Sequence, residues 1–235
     1  MSFLKKYNLF AFALFLAILI TTISCSNSDD AESPTTNATI RLKATTTSSS
    51  TASKTANKSS LETNDLVFNS GYIVIREIVF DGQNGSNSVS RTKEQIATIN
   101  YATGVVSPIV EITVPAGSYT GVNLGIELQD ENDRPTVVIE GTYTNSSEDI
   151  LPIRFEFNSG EVFEANASSV EIEPGADLIG KVTFDALSWF STVSANQLDN
   201  ANLTDGVIVI SETSNSAIFD IVADRLDVET EAVFE

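Results

Sequence analysis

The chain is expected to fold as a mainly β protein, an antiparallel β-sandwich with one or two short helices near the C-terminus. Three observations predict this. Val122, Leu124, Ile126 and Leu128 alternate with Asn123, Gly125, Glu127 and Gln129, and Ile153, Phe155 and Phe157 alternate with Arg154, Glu156 and Asn158, the period of strands with one wet face. From Asp65 onward, short runs rich in Val, Ile, Thr, Tyr and Phe are broken by turn signals every 10 to 20 residues. Two stretches with helical spacing of apolar residues both lie late in the chain. With 235 residues, 42% of them hydrophobic, there is apolar surface for one such core.

The first element is an address rather than part of the fold. Lys5 and Lys6 precede an apolar run over residues 9–20, and Thr22-Ile23-Ser24-Cys25 follows, the layout of a secretory signal. Residues 9–23 number 15, short of the roughly 20 that cross a hydrocarbon core. Residues 1–24 are therefore expected to be a cleaved signal peptide. Cys25 is the only cysteine, which excludes an intrachain disulfide. Its position resembles a bacterial lipobox, with Thr22 standing where such boxes usually carry leucine. The resemblance implies cleavage before Cys25 and acylation of its thiol and new amine; two or more acyl chains anchor a protein stably. Ser26-Asn27-Ser28-Asp29-Asp30 resembles the short acidic export signal, carried here by Asp29 and Asp30, that sends lipoproteins of Bacteroidota-type bacteria to the outer face of the outer membrane.

Across residues 26–64, 22 of 39 are Ser, Thr or Asn, too little apolar surface to offset the ordering of the chain. Residues 25–37 read as an acidic, polar tether and about 45–64 as a long mobile Ser/Thr-rich loop. Between them Thr39-Ile40-Arg41-Leu42-Lys43 alternates and is expected to be a first strand, so that one domain spans 38–235. Residues 71–80 are more continuously apolar, as a central strand requires. Val137 and Ile139, Val170 and Ile172, and Val182 and Phe184 repeat the alternation. Asp81-Gly82, Asn84-Gly85, Asn132-Asp133-Arg134-Pro135, Asn158-Ser159-Gly160 and Pro174-Gly175 supply turns, so antiparallel hairpins are expected. Asp185 is placed as the cap of a helix through Leu198, and Asn215 as the cap of a helix over 217–226 with Ile218, Ile221, Val222 and Leu226 on one face. Trp189-Phe190 reads as core rather than as a sugar-stacking platform.

Pro115-Ala116-Gly117-Ser118-Tyr119 followed by the alternating strand to Leu128 resembles prealbumin-like and immunoglobulin-like modules of bacterial surface proteins. With residues 66–71, 155–161 and 184–190, the chain looks like uncharacterised flavobacterial surface lipoproteins that carry such a domain. The resemblance implies location and fold. It brings no activity and no catalytic residues.

Composition narrows the chemistry. There is no histidine, so Ser-His-Asp and Cys-His catalysis are excluded, and zinc has no ligand set. Without residues 1–24 the chain holds 11 basic and 32 acidic residues, net −21; residues 95–235 alone hold 4 and 24, net −20. That field repels nucleic acid and anionic membrane surfaces and leaves cations, basic proteins and uncharged glycans as partners. Paired carboxylates hydrolyse glycosides, but no Glu-x-Asp-x-x-Glu run aims alternate acids at one cleft. Calcium is the ion the sequence suits best. Asp130, Glu131, Asn132 and Asp133 in one loop, and Asp199, Asn200, Asn202 and Asp205 in another, offer hard oxygen ligands. Neither follows the EF-hand pattern, so solvated turns compete with that reading and no cofactor is required. The expectation is a lipid-anchored outer-membrane protein, exposed at the cell surface, that binds a glycan or partner protein without catalysis through loops 129–135 and 198–206 at the ends of the sandwich. The alternative is a structural or fimbrial subunit that donates residues 228–234 as a strand. A carboxylate-based glycoside hydrolase comes third.

Overall fold

In a computed structural model, residues 36–46, 66–130, 134–226 and 232–234 are described. Cys25, Asp29, Asp30, the signal segment, most of the tether and residues 47–65 lie outside them. In chain order the strands are β1 (Asn37–Thr46), β2 (Leu66–Asn84), β3 (Asn87–Asn100), β4 (Val106–Ser107), β5 (Glu111–Pro115), β6 (Gly117–Leu128), β7 (Val137–Thr144), β8 (Ile150–Phe157), β9 (Val162–Ile172) and β10 (Asp177–Phe184). Helices α1 (Ala186–Trp189) and α2 (Ala195–Asp199) follow, then β11 (Leu203–Thr204), β12 (Val207–Ile210), α3 (Ser216–Ala223) and β13 (Ala232–Phe234). None of these helices is long and apolar enough to cross a membrane.

β2 is the spine of the larger sheet. On one edge it pairs with β3 along Tyr72 to Asn84. On the other, β7 takes Leu66 to Ile73 and β6 takes Ile75 to Asn84, both antiparallel. β6 and β7 therefore lie end to end along β2, and β9 and β8 extend the sheet beside them. β2 keeps one face dry over 19 residues because its register shifts between Phe68 and Ser70 and between Ile75 and Glu77. Each bulge adds one residue, so Leu66, Phe68, Ile73, Ile75, Ile78 and Phe80 are all buried on one face although strict alternation fails.

Two layers cover that face. The four-stranded sheet β13-β10-β1-β5 lies over the β6–β9 half: Phe184 meets Phe163 at 5.3 Å edge-on, and Phe234 meets Phe80 at 6.3 Å. The helices lie over the β7–β8 half, where Phe190 packs on Phe68 at 5.0 Å and Phe219 on Phe155 and Phe157 at 6.1 and 6.0 Å. Each fully buried side chain of this kind contributes roughly 1.5–3 kcal/mol. Trp189 and Phe190 are 2% and 1% exposed, so they are core.

The sandwich is mainly antiparallel, with a correction at two pairings. β1 runs parallel to β10, and β12 parallel to β8. Neither pair is joined by a short turn, so no hairpin sets its direction. Among the turn signals, Asn84-Gly85 ends β2 with Gly85 at φ 62°, and Gly175, at φ 74°, turns the chain between β9 and β10. Asp81-Gly82 lies within β2 instead. Thr45 and Thr46, expected in a loop, complete β1.

The helix expected over 185–198 is two. Asp185 caps α1, its carboxylate accepting from the N–H of Leu187 and Ser188 at 3.1 and 3.2 Å. Ser194 then starts α2 through a reciprocal capping box with Gln197. Ser191 and Thr192 favour caps over helix interior, and the second cap wins. Asn215 caps nothing with its side chain: it sits at φ 50° and α3 ends at Ala223, short of Leu226.

Candidate functional site

The two acidic loops occupy different kinds of place. Loop 129–135 joins β6 to β7, which lie end to end, so its described flanks stand midway along the larger sheet and not at an end. The main chain holds them there: Leu128 donates to Glu161 O at 3.0 Å and Thr136 to Phe157 O at 2.8 Å, beside the β8–β9 connection. Asp130 is exposed, with its carboxylate against Gly160. Glu131, Asn132 and Asp133 lie outside the described residues.

Loop 198–206 does reach an end of the molecule, at the Leu66 end of β2. There Tyr143 on β7 donates to Asp199 Oδ1 at 2.8 Å, and the Ser146 N–H donates to the same oxygen at 3.2 Å. The Tyr143 hydroxyl holds the Asp199 carboxyl below its ordinary value, with Ser146 adding to the effect and partial desolvation opposing it. Asn202 is held through its main chain, its N–H and C=O both bonded to the Asn215 side chain. Asn215 also donates to Val209 O at 2.7 Å, which explains why it is unavailable as a helix cap. Asp205 and Gly206, at φ 50° and 84°, form the two-residue turn of the β11–β12 hairpin. Asp199, Asn202 and Asp205 thus have separate structural tasks, and among the described residues no three acids are grouped to hold a metal ion.

Sequence reasoning missed the β7–β8 turn, which completes this pole. Asn145 Oδ1 accepts from the N–H of Ser147 and Asp149 at 2.9 and 2.8 Å, fixing a compact turn around Glu148 at φ 66°. The run Asn145-Ser146-Ser147-Glu148-Asp149 between two apolar strands carries that signal. Register places the Asp205-Gly206 turn level with the start of β8, since Ile153 pairs with Ile208 and Ile208 with Leu203. Ile150 and Leu203 are 68% and 51% exposed here, among carboxylates and amides. This pole offers hydrogen-bond acceptors and two apolar contacts, and no nucleophile paired with a base.

The first described residues are fixed at the opposite end. Ala116 donates to Thr36 O at 2.7 Å and Gly175 to Asn37 O at 2.9 Å, beside the β5–β6 turn, where Tyr119 donates to Pro115 O at 2.8 Å. Tyr119 pairs with Asn84, the last residue of β2. The two poles are therefore separated by the length of β2, on the order of 50–60 Å at the usual rise per residue.

The Asp199 bond predicts a pH dependence. A carboxyl whose folded pKa is depressed adds stability above its unfolded value, about 4, and loses it as pH falls through the folded value. Tyr143→Phe should cost about 1 kcal/mol at pH 7, and that cost should shrink at an acidic pH below about 4, as Asp199 protonates in both proteins. Urea midpoints at the two pH values check this; an equal cost at both would remove Asp199 from the account.

Set against known proteins, the chain matches no family model, no curated protein and no solved structure.

Proposed function

We propose that the protein is a lipid-anchored surface protein of the outer membrane, acylated on Cys25, whose domain binds a glycan or a partner protein without catalysis. The observation that carries the reading is the separation of the two poles along β2. Thr36 and Asn37, at one end, follow Cys25 by only 11 and 12 residues, so the pole formed by the β7–β8 turn, the end of α2 and the β11–β12 hairpin is the end of the domain remote from the residues that lead to the anchor. Its carboxylates and amides suit sugar hydroxyls or a basic peptide, and Ile150 and Leu203 supply apolar contact. The absence of histidine supports binding without turnover.

The second reading, a structural or fimbrial subunit, turns on which strand is donated. The segment first considered, 228–234, includes β13, which pairs in cis with β10 from Gly180↔Phe234 to Val182↔Ala232. That strand is already engaged, whereas β1 remains a candidate.

Cys25→Ser should abolish incorporation of an alkyne fatty acid and release or mislocalise the protein. Persistence of label and of membrane association in the serine variant would end the anchor reading. The domain, applied to a glycan array and to surface extracts with calcium or a chelator, should retain a ligand intact. Breakdown of a bound glycan into smaller products would overturn the non-catalytic reading.

A further inference from the structure

β1 is held as a middle strand by residues remote from it in sequence. It makes eight register pairs with β10, from Thr39↔Asp177 to Thr46↔Phe184, and five with β5, from Asn37↔Pro115 to Arg41↔Glu111. Ala38, Ile40, Leu42 and Ala44 enter the core at every second position, each 4% exposed or less, while Arg41 and Lys43 stay exposed. The slot between β10 and β5 thus recognises β1 by backbone bonds on both edges and by four apolar side chains of modest size. This is how a sheet accepts an extended peptide.

None of these contacts depends on the covalent link to β2. That link is residues 47–65, of which 10 of 19 are Ser or Thr and none is Pro. We propose that the slot between β10 and β5 is a strand-acceptor site that takes β1 of a second copy as well as the chain's own, so that neighbouring copies join by reciprocal exchange of β1. Exchanged and closed forms make the same contacts inside the sandwich, so concentration decides between them. For a Ser/Thr-rich link of this length the effective concentration of β1 is about millimolar. Dilute copies close on themselves, and copies crowded to a comparable local concentration exchange. The crowding rests on the anchor reading above; the acceptor site does not.

Arg41 and Glu111 give the test. They pair across β1 and β5, with Nη2 2.8 Å from Oε1 and side chains 57% and 42% exposed, so cysteine at either position leaves the core untouched. Residues 26–235 contain no cysteine. One such chain carries Arg41→Cys and another Glu111→Cys; they are unfolded, mixed, refolded at about 1 mM and oxidised. A disulfide-linked heterodimer is expected, its share falling several-fold when refolding is about tenfold more dilute. Arg41→Cys mixed with Ser147→Cys, which lies exposed on the β7–β8 turn at the opposite pole, should give background only. The unsubstituted chain refolded at the higher concentration should contain dimers by light scattering. Equal heterodimer yields from the two mixtures, or an unsubstituted chain that is monomeric at both concentrations, would overturn the proposal. A failure of acylation at Cys25 would leave these measurements unchanged, so the two readings are judged separately.

Discussion

A chain that begins at Asp65 is expected to lose its cooperative fold, while one that begins at Ser26 unfolds in a single transition. Without β1, the slot between β10 and β5 is open along both edges, and Ile112, Val114, Val182 and Phe184 lose the strand that lies between them. Truncating a buried Ile or Leu costs about 2–5 kcal/mol, and Ile40 and Leu42 are 1% and 4% exposed. Two such losses, together with unpaired backbone on two strands, approach the roughly 5–15 kcal/mol that holds a whole domain together. The graded form of the experiment is Ile40→Ala, expected to cost about 2–5 kcal/mol, beside Lys43→Ala, expected to stay within about 0.5. Urea denaturation followed by circular dichroism reads all four chains. Equal midpoints for the chains starting at Ser26 and Asp65 would show that β1 adds nothing, and would remove the basis for strand exchange as well.

How much of this was legible in the sequence follows from the range of the interactions involved. Residues 122–128 and 153–157 show the period-two pattern because one side of each strand is wet, and β6 and β8 lie there. β1 was legible for the same reason, as an island of alternation in polar chain. β2 was legible only over 71–80, because the bulges at Phe68 and Ile75 shift the pattern by a residue and hide its full length. The Asp185 cap is local and was readable; the failure of Asn215 as a cap was not, since its side chain is taken by Asn202 and Val209, partners fixed by tertiary packing. The parallel pairing of β1 with β10 is a contact between segments far apart in sequence, which a single chain's pattern does not encode. The site divides in the same way. The acidic loops were visible as composition. That β6 gives way to β7 in mid-sheet while 145–149 shares a pole with 198–206 depends on β6 and β7 lying end to end, which is topology.

The largest effect of a single methyl group is expected at Gly141. It lies in β7 opposite Phe68, where β2 is bulged, and a Cβ added there would stand 1.8 Å from the Val67 carbonyl oxygen and 2.9 Å from Phe68 Cα. Both obstacles are backbone, so no side-chain rotation relieves the clash. On the facing strand Gly71, at φ 130°, would place a Cβ 2.1 Å from Val138 O. The two glycines together set how closely β2 and β7 approach around the bulge. Gly141→Ala must push β7 away, breaking the pairs at Leu66 to Phe68 and lifting Phe68 from Phe190, its neighbour at 5.0 Å beneath α1. A loss above about 4 kcal/mol is expected, enough to unfold a domain of ordinary stability. Gly85→Ala is the control: its φ is 62° but the space around it is open, so only backbone strain of about 1–2 kcal/mol applies. In sequence, Gly141 reads as a weak point in a strand. If Gly141→Ala unfolds within about 1 kcal/mol of the parent in urea, β2 and β7 are not held at this separation, and the bulge that keeps Phe68 in the core must be sustained by some other contact.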